Sequence, residues 1–530
     1  MAAGALPRPG EPKQGERSEG LVRLLSTGSI MLATLMNSLD TTIANVALPH
    51  IQGSVSSSQD QITWVLTSYI VAAAIMTPMV SWLASVFGRK MVFLVSIVGF
   101  VIASMLCGVA NSLVQIVLYR LLQGVFGAAL IPLSQAVLLD IYPPRQHGQA
   151  MAVWGAGAIL GPILGPAIGG WLTDNLSWRW VFFINLPIGI VAFVGVFLFI
   201  HGDRAIKRPS FDFFGYITLA VAIGATQLFL DRGATLDWFA STEVQVEFVT
   251  AILAFYLFLV QILTAEKPFV SLAIFRDRNF VTASFFGFLI GILLFSGLAL
   301  LPPMMENLLG YPVVTTGVVS MPRGVGSFVA MFVVGQLVGR VDVRLILLTG
   351  LCISALAVLQ MSHFNLTMTS TPIVISGLMQ GLGTGLLFVP LSTVAFASLP
   401  QSLRTEAAGF YTLIRNIGSS IGISIMQVML ENNTDQAHAD LVNHARPDNP
   451  AFKALRAPFS LIDLHGLAAL NGEITRQAAM IAYVDDFRLM LWITLAAIPL
   501  LIFMRPPGRH RAQAAAPGAA PGPELHAGVE

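Results

Sequence analysis

Apolar runs of about 20 residues, the length an α-helix needs to cross the hydrocarbon core of a bilayer, recur along most of this chain. Such helices satisfy their own backbone hydrogen bonds, so a chain built from them is expected to fold as an all-α membrane protein. Only 11% of the 530 residues are charged, whereas soluble domains carry about 25%. The first run is too long for a signal peptide and no A-x-A-like cleavage site follows it, so we expect it to remain as a span.

Fourteen runs are long enough to be predicted as transmembrane spans. They lie at about 26–48, 62–86, 91–110, 113–139, 149–172, 180–200, 214–230, 245–263, 280–301, 313–338, 345–361, 372–397, 405–428 and 484–504. Nineteen Lys and Arg residues fall in the segments on the side that holds both termini, and six fall on the other side. Because Lys and Arg are enriched in cytoplasmic loops, we predict that both termini are cytoplasmic and that the number of spans is even.

Three pairs of segments repeat at nearly the same offset, between 254 and 258 positions. They are 81–90 with 335–344, 122–134 with 379–392, and 161–165 with 418–422. Because six spans occupy 26–200, this offset leaves room for two further spans between the repeats. The sequence therefore predicts two parallel six-helix bundles around a central cavity with a two-helix insert, 6 + 2 + 6, which is a transporter plan.

The predicted organisation has five parts: a disordered cytoplasmic tail at 1–20, an N-terminal bundle at 21–200, the insert at 201–266, a C-terminal bundle at 267–504 and a second disordered cytoplasmic tail at 505–530. Both tails are rich in Pro, Gly, Ala and charge and lack apolar periodicity. The long external, periplasmic loop at about 430–483 contains an amphipathic run at 460–470. Two interpretations of this run stay open: a cap that packs on the protein, and a docking surface for a periplasmic partner.

Four charged residues lie deep inside predicted spans, away from the span ends: Asp40, Arg120, Arg323 and Arg415. A charge at this depth costs several kcal/mol in hydrocarbon, so it survives mainly where it faces a cavity or a partner. At 1.5 Å of rise per residue, Asp40 and Arg120 both fall about 10–12 Å below the outer surface, which makes contact between them possible. Two interpretations of the pair stay open: a carboxyl that takes up and releases H⁺, and a static ion pair that fixes helix packing.

Arg323 and Arg415 lie near the middle of their spans, where a structural role, contact with cavity water and binding of an anionic group all stay open. Other side chains that could line the cavity, or serve helix packing, are Met36, Asn37, Asn45, Gln123, Gln135 and Trp154. Glu306, Asp485 and Asp486 are predicted at the outer ends of spans, near solvent. Cys107 and Cys352 both fall in apolar spans, so neither a disulfide nor a metal site is expected.

The fifth predicted span contains an unusual run of glycine and proline. Its members are Gly157, Gly161, Pro162, Gly165, Pro166, Gly169 and Gly170. Glycines four residues apart line one helix face, on which a neighbouring helix can pack closely, and each proline removes a backbone hydrogen bond and bends the helix. We therefore favour a pivot or hinge over a packing face alone.

Enzymatic motifs are missing from the sequence: there is no Walker A, H-E-x-x-H or G-x-S-x-G pattern, and the loops are too short for a nucleotide-binding domain. No cofactor or metal is expected, and no basic patch indicates nucleic acid. Energy for active transport would therefore come from an ion gradient. Asp40 is the main candidate carrier of that ion, because no second acid is predicted deep in the spans.

Several of these motifs resemble those of the major facilitator superfamily, specifically its 14-span drug:H⁺ antiporters of the EmrB/QacA type. Residues 39–49 resemble the first-span signature of that group, with Asp40 at its acidic position, and residues 120–124 resemble the fourth-span motif whose Arg is linked to proton coupling. The run at 157–170 resembles the antiporter motif of exporters, and 231–239 resembles EmrB proteins. The resemblance covers nearly the whole chain between the tails.

One motif departs from the superfamily pattern. The loop between the second and third spans normally reads G-x-L-A-D-x-x-G-R-K/R, but here Ser81 replaces the Gly and Ser85 replaces the Asp. The matching part that remains is Gly88, Arg89 and Lys90. The resemblance implies that the missing Asp holds the outward-open state through charge contacts, and Asp342 in the second repeat is the expected substitute.

The resemblance implies a proton-coupled exporter of hydrophobic, cationic or weakly acidic compounds in the cell inner membrane. It also implies an EmrA-like periplasmic adaptor and an outer-membrane channel, with 430–483 and the external loop at 302–312 as docking surfaces. Two alternatives stay open: a solute:H⁺ importer of the same fold, and a non-transporting membrane receptor or scaffold. The Gly/Pro run argues against import, and the small soluble mass argues against a scaffold.

Overall fold

The computed structural model describes residues 14–143, 146–200, 211–233, 235–266, 268–338, 340–400, 403–445, 459 and 464–504, and over these residues the protein is almost entirely α-helical. The predicted tails, apart from residues 14–20, lie outside the described residues. The same is true of 446–458 and 460–463 in the predicted external loop.

The first part of the chain forms ten helices and the rest forms nine, within the described residues. The first ten are α1 (Gln14–Val55), α2 (Gln59–Ile62), α3 (Trp64–Met76), α4 (Met79–Phe87), α5 (Arg89–Val109), α6 (Leu113–Gly127), α7 (Leu130–Ile141), α8 (His147–Asn175), α9 (Trp180–Phe183) and α10 (Asn185–Phe199). The others are α11 (Phe213–Arg232), α12 (Thr242–Thr264), α13 (Leu272–Arg276), α14 (Arg278–Pro303), α15 (Val313–Leu337), α16 (Val343–Met361), α17 (Ser370–Ala397), α18 (Arg404–His444) and α19 (Leu464–Ala497). A π-helical turn, Met304–Leu308, follows α14.

Twelve helical segments among the described residues are long and apolar enough to cross a bilayer, and α3 with α4, bent by 56°, makes a thirteenth. The sequence predicts fourteen. The fourteenth would be α1, whose centre is less apolar because it carries Asn37, Ser38, Asp40, Thr41 and Thr42. The structure thus confirms an all-helical membrane protein with twelve to thirteen candidate spans.

Two helices of the second half extend well beyond their predicted limits. α18 continues to His444 and α19 begins at Leu464, so much of 430–483 is helical, and residues 464–470 of the predicted amphipathic run form the first turns of α19. The two extensions contact each other, with His438 Nε2 and Asn471 Oδ1 3.1 Å apart. Hydropathy gives no signal for such polar extensions, which is why the predicted spans end too early.

Helix packing repeats along the chain in the order that the sequence repeat predicts. α1 packs on α8 and α6 packs on α3 and α5; correspondingly, α14 packs on α18 and α17 packs on α15 and α16. We call residues 14–200 the first half and residues 268–504 the second half. The halves meet where α8 packs on α15, and α11 contacts both α3 and α18, so it lies between the halves on another side.

Short polar signals end and begin several helices. Gly88 separates α4 from α5 with φ of 82°, a conformation that is costly for residues with a Cβ. Asp277 caps α14 by accepting a hydrogen bond from the Phe280 N–H at 2.8 Å, and Ser112 caps α6 in the same way through Gln115. Caps of this kind contribute about 1 kcal/mol each.

Candidate functional site

Asp40 is completely buried in α1 and accepts hydrogen bonds from three side chains. Oδ2 accepts from Arg120 Nη1 at 2.6 Å, and Oδ1 accepts from Gln123 Nε2 and from Asn185 Nδ2, each at 2.8 Å. Arg120 and Gln123 come from α6 and Asn185 from α10. The carboxylate therefore ties three helices of the first half together.

Arg120 is equally buried and has further partners. Its Nη1 donates to Gln123 Oε1 at 2.8 Å and its Nε to the Val65 carbonyl at 3.0 Å. Its guanidinium carbon lies 4.4 Å from the centre of the Tyr69 ring, close enough for a cation–π interaction. Removing one member of a buried ion pair costs about 3–5 kcal/mol, because the other charge is left uncompensated.

The polar contacts continue beyond the ion pair. Asn37 donates to the Tyr69 hydroxyl at 2.9 Å and to the Gly127 carbonyl at 3.2 Å, and Asn185 also donates to Ser104 Oγ at 2.9 Å. The sequence interpretation missed Asn185 and Tyr69. The signal for Asn185 was present, because an amide inside an apolar span needs a polar partner.

The glycine face of α8 packs directly on α1. A Cβ on Gly161 would lie 2.5 Å from the backbone carbon of Ser38, and one on Gly157 would lie 2.8 Å from Met31 Cε. Gly165 and Gly169 face Thr42 and Ile43 in the same way. The glycines therefore allow the backbones of α1 and α8 to touch beside Asp40.

Pro162 leaves one carbonyl group of α8 without its helical hydrogen bond, and a side chain of α1 replaces that bond. Proline lacks an N–H, so it leaves the carbonyl four residues earlier, that of Ala158, without its helical donor. Ser38 Oγ donates to this Ala158 carbonyl at 2.6 Å. α8 remains one helix through Pro162 and Pro166, and Gly170 is buried on it. The role of this glycine and proline run as a hinge stays a prediction.

Trp154, Phe388 and Arg415 form a row across the contact between the halves. Trp154 Nε1 donates to Ser134 Oγ at 2.7 Å, and its ring stacks on Phe388 with centroids 5.7 Å apart. The Arg415 guanidinium carbon lies 5.5 Å from the Phe388 ring centre. The row brings two predicted cavity residues from different halves close together.

Arg323 is buried in the second half, where its Nη2 donates to the Leu294 carbonyl at 3.3 Å. Across the described part of the chain, neither Arg323 nor Arg415 forms an ion pair, and the Nε of each has no acceptor. Of the other predicted cavity residues, Met36 is buried against Gly189 of α10, whereas Asn45 is exposed on α1.

Comparison with known proteins assigns the family. Residues 30–423, which hold Asp40, Arg120, the glycine face, Arg323 and Arg415, match the family model of the Major Facilitator Superfamily. The chain belongs to the major facilitator superfamily.

Within this superfamily the chain is EmrB-like. It is 34% identical to the multidrug export protein EmrB of Escherichia coli K12 over 500 residues, which cover 93% of this chain and 98% of that protein. It is 33% identical to EmrB of Haemophilus influenzae over 494 residues, covering 92% and 97% of the two chains. The fatty acid resistance protein FarB of Neisseria gonorrhoeae is 33% identical over 486 residues, covering 91% and 96%.

Solved structures show the same fold at low identity. The human organic anion transporter MFSD10 matches with a TM-score of 0.55 at 13% identity, covering 89% of this chain and 99% of its own. The proton:xylose symporter XylE matches with a TM-score of 0.56 at 13% identity, covering 91% and 97%. Both support the fold of the superfamily.

The superfamily loop motif, which lacks its Asp here, is completed by Asp140 at the end of α7. Asp140 forms an ion pair with Arg89, which begins α5, and another with Arg404 Nη1 of the second half at 3.3 Å. Asp342 instead accepts from the N–H of Arg344 at 2.9 Å and so caps α16. We call the end of the molecule that holds these ion pairs the Arg89 end.

Ser85 and Lys90, which belong to the same loop motif as Arg89, take no part in this ion-pair cluster. Ser85, at the missing Asp position, is exposed and donates to the Trp82 carbonyl at 2.7 Å. Lys90 donates to the Phe197 carbonyl at 2.8 Å. The three-residue ion-pair cluster joins parts of the chain that no local pattern links, and it connects the halves at the Arg89 end.

Replacing Asp140 with asparagine is expected to open the Arg89 end, because Arg404 then loses its carboxylate partner in the first half. Spin labels can be placed at Phe87 and Val341, which are 59% and 38% exposed. Double electron–electron resonance would then show opening as a new population with a longer distance between the two labels. The labels are placed in a Cys352→Ser background. Asp342→Asn is the matched control and should leave the distance distribution unchanged; an unchanged distribution for Asp140→Asn would contradict the assignment.

Asp486 corrects a sequence expectation. It is predicted at the outer start of a span, near solvent, but it is 0% exposed, because α19 begins twenty residues before the predicted span start at 484. Neither carboxylate oxygen has a hydrogen-bond partner among the described residues. Its neighbour Asp485 is 36% exposed and accepts from Arg488 at 2.8 Å, as predicted for an interfacial acid.

Apolar side chains surround the buried face of α19 on which Asp486 lies. Tyr483, Phe487 and Met490 of this face belong to a cluster of buried side chains that is rich in methionine. The other methionines of the cluster are Met304, Met305, Met361, Met426 and Met480. An unpartnered carboxyl in such surroundings destabilises the fold.

Asp486→Leu is therefore expected to raise the apparent melting temperature of the purified protein, since it removes a buried polar group worth about 1–3 kcal/mol of destabilisation. Thermal unfolding followed by intrinsic fluorescence would measure the change. Asp485→Leu, at the exposed neighbouring position, should alter stability by no more than about 0.5 kcal/mol. A lower melting temperature for Asp486→Leu would mean that the carboxyl has a stabilising partner.

Proposed function

We propose that this EmrB-like multidrug efflux transporter of the major facilitator superfamily is an H⁺ antiporter in which Asp40 carries the proton. The observation that carries the proposal is the buried network of Asp40, Arg120, Gln123 and Asn185. It holds one carboxylate with charged and neutral donors from α6 and α10. No covalent chemistry is required, so the protein is a transporter and not an enzyme.

Protonation of Asp40 changes the energy of this network in a defined way. The neutral carboxyl no longer compensates the charge on Arg120, so α1 and α6 lose a charge-assisted hydrogen bond, the strongest class in proteins. A proton that enters from outside would thus loosen the pair, release the compound outward and favour return to the inward-open state. Loss of the proton to the cytoplasm would restore the pair.

The proposal includes a topology. We propose that α1 also crosses the membrane, which brings the number of spans to fourteen. Residues 21–200 and 267–504 then form two six-span bundles, and 201–266 forms the two-span insert. The Arg89 end, with both termini, is then cytoplasmic, in keeping with the distribution of Lys and Arg. The ion pairs of Asp140 close that end, which makes this conformation outward-facing in the cell inner membrane.

The proposed substrates are hydrophobic small molecules. The similar proteins are named for multidrug export and for fatty acid resistance, and apolar, aromatic and unpaired cationic side chains lie side by side where the halves meet. The residues proposed to line the path are Met36, Asn37, Asn45, Gln123, Trp154, Arg323 and Arg415.

We also propose a tripartite assembly with an EmrA-like periplasmic adaptor and an outer-membrane channel. The extensions of α18 and α19 supply a helical surface outside the membrane, on which Leu464 and Leu467 are 81% and 41% exposed. A resistance panel in a pump-deleted host, with and without the co-expressed adaptor, tests this assembly. Resistance that needs no adaptor would count against it.

Proton coupling is tested in proteoliposomes that contain a pH dye. A substrate is added on the side of the membrane that the cytoplasmic end faces. Antiport should acidify this side and make the other side more alkaline, because H⁺ moves in the direction opposite to the drug. A solute:H⁺ importer would move H⁺ with the substrate and give the opposite sign. A receptor or scaffold would give no pH change.

A further inference from the structure

Arg323, a buried cation in the second half, forms no ion pair within the described residues. Arg323 lies on α15, its guanidinium covers Gly297 of α14, and Gln380 of α17 lies beside it. The sequences of α14, α15, α16 and α17 contain no Asp or Glu. The first half differs, since Arg120 there has Asp40.

The sequence repeat identifies which residue of the second half corresponds to a member of the Asp40 network. Gln380 is the counterpart of Gln123, 257 positions earlier, and Gln123 donates to Asp40. In the second half the amide remains and the carboxylate does not. At the same offset Arg120 corresponds to Gly377, and the guanidinium beside Gln380 comes instead from Arg323 of α15. The second half therefore places an amide and a guanidinium together without a carboxylate between them.

Unsatisfied atoms mark the place. Within the part of the chain that the structure describes, Arg323 Nε and Gln380 Oε1 are buried without hydrogen-bond partners. Arg323 Nη1 and Nη2 and Gln380 Nε2 all lie within 3.4 Å of the position that a Cβ on Gly297 would take. A cavity of about 10 Å³ adjoins Gln380; Leu294, Thr384 and Thr494 also line it, whereas Arg323 does not. That volume is about one water-sized probe.

We propose that Arg323 and Gln380 form a binding site for a monovalent anion, either chloride or the carboxylate of an exported acid. A guanidinium stays charged in proteins and presents planar donors that match a carboxylate. An anion at this place supplies the negative charge that would compensate Arg323. The carboxylate alternative rests on the proposed export function, whereas the chloride alternative does not.

Arg415 adds to the positive potential of the same region. It contacts Phe388, eight residues after Gln380 on α17, which is about 12 Å along the helix. Both arginines lack an ion pair within the described residues. Two buried cations in one half of the molecule create a positive potential that attracts anions and repels cations, which favours an anion as the occupant.

The experiment uses the full-length protein in nanodiscs of zwitterionic lipid, without an adaptor and without a pH gradient. Thermal unfolding is followed while sodium gluconate is replaced by sodium chloride, or by sodium benzoate, at constant ionic strength. The wild type should be stabilised by at least one of the two anions in a saturable manner, and Arg323→Gln should weaken the apparent affinity at least about tenfold. Arg323→Lys, which keeps the charge, should retain part of it.

The outcomes are separated by matched variants. Arg488→Gln removes a positive charge that is 60% exposed and should respond to anions like the wild type. Stabilisation by chloride alone assigns the site to an inorganic anion, and stabilisation by benzoate assigns it to a carboxylate. An Arg323→Gln protein that is folded and responds like the wild type, or a wild type that responds to neither anion, overturns the proposal.

The same titration in an Asp40→Asn background keeps this test separate from proton coupling. Anion stabilisation should persist there, because the site lies in the other half of the molecule. If Asp40→Asn still shows normal pH-driven uptake but Arg323→Gln has lost its anion response, the proton-coupling proposal fails and the anion site stands.

Discussion

Asp40→Asn is expected to abolish pH-driven uptake of a fluorescent substrate into everted vesicles, with the initial rate lowered by about 10²–10³-fold. The magnitude follows from the 3–5 kcal/mol that a buried ion pair loses when one charge is removed. Asparagine has nearly the same shape as aspartate, so the helices can keep their places while the proton site and the compensation of Arg120 disappear. Uptake and expression level are measured in the same membrane preparation.

Two comparisons make the Asp40 result specific. Asp485→Asn removes an acid that is 36% exposed and paired with Arg488, and it should transport at the wild-type rate. Substrate exchange without a pH gradient should survive in Asp40→Asn, because exchange needs no net movement of H⁺. Normal pH-driven uptake by Asp40→Asn would refute the role of this carboxyl.

Gly161→Ala is expected to cause a large loss of export through overpacking between α1 and α8. The added Cβ would lie 2.5 Å from the Ser38 carbon and 2.7 Å from the Leu39 nitrogen, and both are backbone atoms that cannot turn away. α1 and α8 must then move apart beside Asp40, at a cost of about 1–3 kcal/mol for overpacking. We expect less than about a tenth of wild-type export, since one such cost is worth roughly a factor of ten in a conformational equilibrium.

Gly28→Ala is the matched control for this packing prediction. Gly28 lies on α1 like the contact partners of Gly161, but no atom lies within 4 Å of its would-be Cβ. Alanine there should be neutral or stabilise the helix by up to about 1 kcal/mol. Wild-type melting temperature and export for Gly161→Ala, measured on purified protein and in cells, would show that close contact of the two helices is dispensable.

The sequence was informative wherever a charge or a glycine breaks an apolar pattern. Hydropathy finds most spans, and the depth of Asp40 and Arg120 along their helices places them at one level, where the structure shows them in contact. The regular glycines of the fifth span likewise predict a bare helix face, and α1 lies against it. These inferences work because a bilayer penalises isolated polar groups and makes their positions meaningful.

Partners from distant parts of the chain could not be predicted in this way. Asn185 is 145 positions from Asp40, and Arg404 is 264 positions from Asp140, so no spacing rule connects them. Asp486 was misplaced because hydropathy marks only the apolar part of α19 and gives no information about its polar first turns. Burial of a residue at such a boundary depends on the neighbouring helices.

The position of α11 affects whether the space between the two halves is open toward the lipid. Gln227 of α11 donates to Ser420 of α18 at 2.8 Å, while α11 also packs on α3. α11 thus covers one of the two lateral gaps between the halves, and the contact of α8 with α15 covers the other. Over the described residues both sides between the halves are therefore covered by helices, and the paths between the halves that remain run along the bundle axis toward its ends.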